Sequence, residues 1–299
     1  MTKFKAWVSA ARLRTLPLSI SGIITGSALG DINFFVTCIF WLAILTTLGL
    51  QVLSNFANDY GDGVKGTDNV DRVGPQRALQ SGAISKKEMY RGIVFMALVS
   101  LGAAIALIYV SFGKENFFYS TLFFVLGVAA IIAAIKYTMG SSAYGYRGLG
   151  DLFVFVFFGL VSVVGCYFLY TKQLDFFVFL PAITVGLLSS AVLNLNNMRD
   201  YHNDKNVGKN TLVVKLGIKR ARVYHFSLLV IAMISMLIYL CFTYDNPMNL
   251  IFLIAFIPLI VHMIKVAKTK DSEVLDPELK KVALSTFLLS ILFSLGQIL

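Results

Sequence analysis

The run Phe34-Phe-Val-Thr-Cys-Ile-Phe-Trp-Leu-Ala-Ile-Leu-Thr-Thr-Leu-Gly-Leu-Gln-Val-Leu-Ser-Asn-Phe-Ala57 holds no charged side chain and leads directly into Asn58-Asp-Tyr-Gly-Asp62-Gly-Val-Lys65. About 20 apolar residues suffice to cross a bilayer as a helix, so the run reads as a membrane span and the charged stretch as its polar end. Working outward, comparable runs occupy 16–30, 92–112, 117–135, 152–170, 176–196, 223–243, 248–264 and 282–298. Nine spans account for a chain of 299 residues that is 57% hydrophobic and only 14% charged, with a mean hydropathy of +0.76. A soluble domain is about a quarter charged. The composition therefore excludes a water-soluble enzyme, a disordered chain and a disulfide scaffold, and predicts one polytopic all-α domain over residues 1–299. With eight spans behind it, the first is an anchor helix rather than a cleaved signal peptide.

The net charge of +10 suggests nucleic acid until the charges are sorted by connection. Lys3, Lys5, Arg12 and Arg14 precede the first span, and Lys65, Arg72, Arg77, Lys86, Lys87 and Arg91 follow the second. Lys136 and Arg147 follow the fourth, the group from Arg199 to Arg222 the sixth, and the group from Lys265 to Lys281 the eighth. Of the 26 Lys and Arg, only Lys114 and Lys172 fall on the other side. Cytoplasmic loops carry this excess, so the N-terminus is expected in the cytoplasm and the basic balance reads as orientation, with no nucleic-acid partner. Cys38, Cys166 and Cys241 each sit inside a span with no metal-ligand spacing, and read as packing residues.

Acidic residues are scarce, 16 in all, and six fall in two segments that begin where an even-numbered span ends. The first runs from Asn55 through Asn58, Asp59, Asp62, Asp68 and Asp71 to Arg77; the second runs from Asn194 through Asn196, Asn197, Asp200 and Asp204 to Thr211. Asn58 and Asp62 are four apart, as are Asn196, Asp200 and Asp204, so each segment offers a stripe of oxygen ligands on one helix face. The two segments lie about 140 residues apart, which suggests a duplicated four-helix unit. Ionisable groups beside a bilayer are costly and usually functional. Oxygen-rich stripes suit Mg²⁺, which is commonly held by one or two carboxylates plus substrate phosphates. Arg72, Arg77 and Lys209 add donors for phosphate oxygens. Together these are the needs of a diphosphate leaving group: a metal to neutralise growing charge and basic side chains to hold it. By contrast, the charged stretch 265–281 reads as a solvated face, His202 as the back of a helix turn, and His225 and His262 as residues without a role.

The Asn58-x-x-x-Asp62 pattern with Asp68 or Asp71 beyond it, and Asp200-x-x-x-Asp204, resemble the two signatures of UbiA-type intramembrane prenyltransferases. Strict members place the third Asp of the first signature where Gly66 stands here. Arg12-Leu-Arg14-Thr-Leu-Pro17, Lys65-Gly-Thr-Asp68, Gly74-Pro-Gln-Arg77, Tyr144-Gly-Tyr146-Arg-Gly-Leu-Gly150-Asp151 and Asn196-Asn-Met-Arg-Asp200 through Gly208-Lys-Asn-Thr211 are similar to the MenA branch, the 1,4-dihydroxy-2-naphthoate polyprenyltransferases of menaquinone biosynthesis. The resemblance implies nine transmembrane helices around a central cavity, in a multi-pass protein of the cell (inner) membrane with cytoplasmic active-site loops. It implies a transferase that ionises a polyprenyl diphosphate with Mg²⁺ (two ions, Mn²⁺ substituting) and joins the allylic cation to 1,4-dihydroxy-2-naphthoate. Loss of CO₂ and diphosphate then gives a demethylmenaquinone. Asn58, Asp62, Asp68, Asn197, Asp200 and Asp204 become the metal ligands, and Lys65, Arg72, Arg77 and Lys209 the diphosphate contacts. Asp62, Asp200, Asp204 and Tyr137 become catalytic, and Arg14, Tyr144 and Arg147 contacts to the naphthoate.

A water-free apolar chamber protects an allylic cation, and the run Phe153-Val-Phe155-Val-Phe157-Phe158 is a candidate lining. For the acceptor, Tyr137, Tyr144 and Tyr146 offer flat faces and hydroxyls, Arg14, Lys136 or Arg147 a cation, and Asp151 a helix cap. Two rival readings are a prenyltransferase for another acceptor (4-hydroxybenzoate, homogentisate or a porphyrin) and an ion-coupled transporter. Transporters place broken helices and ionisable groups near the midplane, whereas these carboxylates stand at helix ends.

Overall fold

A computed structural model describes residues 2–69, 73, 74, 76–271 and 273–299. Among these the chain is all-helical, with no strand. A surface helix α1 (Lys3–Ala11) precedes α2 (Leu16–Gly30), and α3 (Cys38–Lys65), α4 (Lys86–Phe112) and α5 (Phe117–Lys136) complete the first half. Then come α6 (Gly150–Thr171), α7 (Phe176–Arg199), two short helices α8 (Tyr201–Asn206) and α9 (Leu212–Leu216), α10 (Ile218–Thr243), α11 (Pro247–Lys268) and α12 (Glu273–Ile298).

Eight helices, α3 to α7 and α10 to α12, are long and apolar enough to cross a membrane. The nine-span expectation differs at α2, whose 15 residues reach about 22 Å against a hydrocarbon core of about 30 Å. Helix ends differ too. α3 continues past the apolar run through Asn58, Asp62 and Lys65, because its stop signal is Gly66, which caps the helix in the left-handed region at φ 74°. α4 starts at a capping box in which the Ser85 and Glu88 side chains each bond the other's backbone N–H.

Among the described residues four apolar clusters hold the bundle, the smallest of them Val163, Val178, Ala182 and Val185 between α6 and α7. One joins α7, α10, α11 and α12 through Leu188, Leu229, Leu259 and Phe293. A second joins α1, α3 and α4 through Ala6, Leu53 and Met89, and a third ties α2, α3 and α4 to α6 through Ile24, Ala43, Leu107 and Cys166. In a membrane such contacts act mainly through close packing, which favours small residues where helices cross. A side chain at Gly159 would strike the Ala182 carbonyl at 2.6 Å and Gly186 Cα at 2.7 Å, so α6 and α7 touch backbone to backbone. α6 is wound as a π-helix over Phe155–Val164, through this crossing.

The stretch 265–281 is less solvated than its charge predicts. Glu278 is buried and accepts from Lys281 Nζ at 2.8 Å, while its other oxygen meets His262 Nδ1 at 2.7 Å. His262 in turn meets His225 at 2.8 Å, so these histidines staple α10, α11 and α12 together.

A Cβ at Gly26 would lie 2.3 Å from the Val163 carbonyl oxygen, whereas one at Gly102 meets nothing. Gly26→Leu is expected to cost at least about 1–3 kcal/mol by overpacking, read as a lower melting temperature and a lost monodisperse peak in detergent. Gly102→Ala should leave both unchanged or slightly improved.

Candidate active site

Local chain chemistry brings both polar segments to one end of the bundle. Asn58 and Asp62 occupy the last turns of α3, on the side facing the bundle interior. Asn196 and Asn197 end α7, Asp200 stands at the junction, and α8 starts at once, so Asp204 follows one turn later. The Lys209 N–H bonds the Asp204 carbonyl at 2.8 Å after Gly208 turns left-handed, which folds Lys209 back over the acids.

These residues line one cavity of about 520 Å³, with Arg14, Asp68, Arg77, Tyr137 and Tyr144. Asp62, Asp68, Asp200 and Asp204 are all buried. The wall changes character with depth. On α3 it runs from Asp62 back to Ala43, 19 residues or roughly 28 Å of helix. The deeper lining is Leu107, Phe123, Leu126, Phe157, Phe158 and Val161. α5 and α6 face each other across this apolar length, and the Phe-rich run contributes Phe153, Phe157 and Phe158.

Buried charge is matched pair by pair. Lys209 Nζ lies 3.2 and 3.3 Å from the two Asp62 oxygens. Burial opposes the charge on Lys209, but Asp62 and Asp204 more than offset it, so its pKa is raised and it stays an ammonium. Arg77 Nε lies 3.7 Å from Asp68. Arg199 is the largest fully buried side chain. Its Nε and Nη2 form a fork on Asp200 at 2.9 and 2.7 Å, Nη2 also reaches Asn196 Oδ1 at 2.9 Å, and Nη1 bonds Asp276 at the start of α12. A planar guanidinium is the side chain suited to that geometry.

Where α5 leads into α6, the Tyr144 ring stacks on Phe153 with centroids 3.9 Å apart, and its hydroxyl donates to the Ala133 carbonyl at 2.9 Å. Tyr137 meets Tyr144 edge-on at 5.3 Å. Burial raises the pKa of Tyr137, with Asp151 and Asp62 adding to it, and burial raises that of Tyr144. Both phenols therefore remain hydrogen-bond donors. Arg14 stands at the rim, 4.0 Å from Asp276.

Not every expected residue reaches the cavity. Lys65 is exposed; its Nζ donates to the Thr138 carbonyl at 2.7 Å and sits 3.9 Å from the centre of the Tyr146 ring. Arg147 is exposed outside the cavity wall, with its carbonyl accepting from Lys215. Asp71 and Arg72 lie outside the described residues. His202 is exposed, as expected. Sequence reasoning missed Arg199, Asp276 and the role of Tyr146; the signal available was an Arg set between an apolar run and an Asp.

At its polar end the cavity offers carboxylate and amide oxygens, with its one thiol, Cys166, in the deeper apolar part, and such oxygens are hard-cation chemistry. Asn58, Asp62, Asp68, Asn197, Asp200 and Asp204 carry those oxygens on the cavity wall. Among the described residues no three His, Cys, Asp or Glu side chains are grouped closely enough to hold a metal ion by themselves.

Removing one partner of a buried pair leaves an uncompensated charge, at a cost of about 3–5 kcal/mol. Lys209→Met is therefore expected to lower the melting temperature of the purified protein more than Lys209→Met combined with Asp62→Asn. An equal or larger loss in the double variant would show the pair to be solvated.

The sequence signature of the UbiA prenyltransferase family matches residues 19–291. A Haemophilus influenzae protein named 1,4-dihydroxy-2-naphthoate octaprenyltransferase is 46% identical over 98% of this chain and 96% of its own. An Escherichia coli protein of the same name is 40% identical over 99% of this chain and 96% of its own. The solved structure of a UbiA homolog from Archaeoglobus fulgidus bound to GPP and Mg²⁺ superposes with a TM-score of 0.69 at 17% identity, covering 98% of both chains. With the fold, the paired acidic segments and near-full-length relatives in agreement, the chain belongs to the UbiA prenyltransferase family.

Proposed function

We infer that this protein transfers a polyprenyl chain from a polyprenyl diphosphate to 1,4-dihydroxy-2-naphthoate, releasing diphosphate and CO₂, in menaquinone biosynthesis. The observation that carries the reading is the cavity itself: buried acids and bases at one end, and behind them a wall without charge on α3 back to Ala43, with Leu107, Phe123, Phe157 and Phe158 as the deeper apolar lining. Relatives over nearly the whole chain are named for this reaction. The carboxylates stand at helix ends on one side, which does not suit a midplane transport site.

Mg²⁺, two ions in our reading, would supply neutralisation of the diphosphate charge from Asn58, Asp62, Asp68, Asn197, Asp200 and Asp204. Arg77 and Lys209 hold the diphosphate, together with Arg72, so that the electron pair of the breaking C–O bond is received by a compensated oxygen. The Phe-lined channel takes the prenyl tail and keeps water from the allylic cation. The acceptor carboxylate is bound by Arg14 at the rim, and Tyr137 donates a hydrogen bond to a naphthoate oxygen. The ring carbon bearing that carboxylate attacks the allylic carbon. The C–CO₂ bond then breaks and returns its electrons to the ring, giving a demethylmenaquinone as its quinol, with no net proton exchanged. α2 is read as a ninth, short crossing of the cell membrane, which puts the N-terminus and the acidic segments in the cytoplasm.

The direct test is incubation of membranes with labelled polyprenyl diphosphate and each aromatic acceptor, with and without EDTA. Label is expected in a naphthoquinone product only, abolished by the chelator; transfer to 4-hydroxybenzoate instead would overturn the acceptor assignment. Asp62→Asn should slow turnover at least about tenfold, the effect of losing ~1.4 kcal/mol at the transition state. Arg77→Lys should impair use of the prenyl donor although charge is kept, because Lys cannot form a planar fork; a change confined to the naphthoate KM would invert the two subsites. For orientation, a cysteine at Asn246 should react with an impermeant thiol reagent in intact cells and one at Asn206 should not. The reverse pattern would refute the topology.

A further inference from the structure

Tyr146 lies in the short turn Tyr144–Arg147 between α5 and α6 and stands behind Asp62, outside the cavity wall. Its hydroxyl is 2.8 Å from Asp62 Oδ1 and also meets the Thr67 hydroxyl. A carboxylate only accepts, so the single phenol proton goes to Asp62 and the Thr67 proton to the phenol oxygen. The Asn203 side chain donates to the Thr67 carbonyl at 3.0 Å, which fixes this relay from the second acidic segment. The ring meanwhile has the Lys65 ammonium 3.9 Å and the Lys209 ammonium 5.2 Å from its centre. One side chain, on the connection between α5 and α6, thus touches an acid and a base of α3 and a base of the connection after α8.

Two ammonium groups side by side repel, and an aromatic face beside a carboxylate offsets that repulsion. Asp62 has two kinds of donor on it, Tyr146 and Lys209. Of these, only Lys209 has a reason to leave, because a diphosphate oxygen would compete for its ammonium. Without the phenol, Asp62 would lose its orientation at the moment Lys209 changes partner.

We propose that Tyr146 is a positioning residue for donor binding: it keeps Asp62 aimed into the cavity while Lys209 exchanges that carboxylate for an oxygen of the incoming diphosphate. The inference rests on the prenyl-diphosphate reading above and assigns a role to a residue that touches neither substrate.

Tyr146→Phe keeps the ring and its cation contacts and removes only the hydroxyl. The measurement is Mn²⁺ binding to the purified full chain in detergent with geranyl diphosphate present, followed by the paramagnetic resonance of the free ion. Losing one hydrogen bond to a charged group should weaken Mn²⁺ binding about tenfold. The melting temperature and the KM for the naphthoate should stay near wild type. Thr67→Val should show a smaller loss in the same direction, and Tyr146→Leu should also weaken retention of geranyl diphosphate. Tyr146→Phe binding Mn²⁺ as tightly as wild type would overturn the proposal, as would a matching loss of naphthoate affinity, the mark of general loosening. A wild-type protein that holds no Mn²⁺ with geranyl diphosphate would overturn the prenyl-transfer reading, and this inference with it.

Discussion

A carboxylate set beside hydrocarbon needs a countercharge within reach, and the ion pair between Asp62 and Lys209 meets that need for the polar end of the whole bundle. The pair joins the end of α3 to the connection after α8, so the two acidic segments, far apart in sequence, share one site. Arg199 does the same for the second segment, binding Asp200 and Asp276 and so tying α7 to α12. Both clasps are worth more as geometry than as net stability, since desolvation consumes most of what the attraction returns. Their product is a set of acids that line one end of the cavity, next to its apolar part.

The chamber itself exists because the helices are packed closely elsewhere. α6 touches α7 backbone to backbone at Gly159 and Gly186, and α2 at Gly22 and Gly26. Drawn in on those sides, α6 still gives Phe153 and Phe157 to the cavity wall, which α5 also lines. The π-winding of Phe155–Val164 lies in the same stretch, where such winding frequently marks a functional site.

The apolar runs made the membrane helices legible, because hydrocarbon admits almost nothing else. Their ends were less so: α3 continues through Asn58 and Asp62, since a helix ends at a residue such as Gly66 that can turn left-handed, not at the first charge. α8 and α9 are too short to carry a periodic signal. Within the site, Asn58 with Asp62, and Asn197 with Asp200 and Asp204, stand together because their spacing was a local, helical fact. Arg77 and Lys209 lie outside helices and join them through Asp68 and Asp62. Lys65 was placed by nearness in sequence, and three residues beyond Asp62 the helix has turned it outward onto Tyr146. Arg199 with Asp276, and Tyr146 with Asp62, are partners 77 and 84 positions apart, and nothing local announces such a match.

α2 packs against both α6 and α12, and the Ser294 hydroxyl of α12 bonds the Ile24 carbonyl. An early helix thus waits for the last. At about 5–20 residues per second, ribosomes deliver α12 tens of seconds after α2. During that interval α2 must hold Ser19, Ser21 and Thr25 in lipid without its final neighbour. Each of their hydroxyls bonds a carbonyl three or four residues back in its own helix, at 2.8, 3.0 and 3.0 Å. The helix carries its own solvation through biogenesis, and a truncated chain lacking α12 would leave a seam of small polar residues open to the quality-control machinery of the membrane.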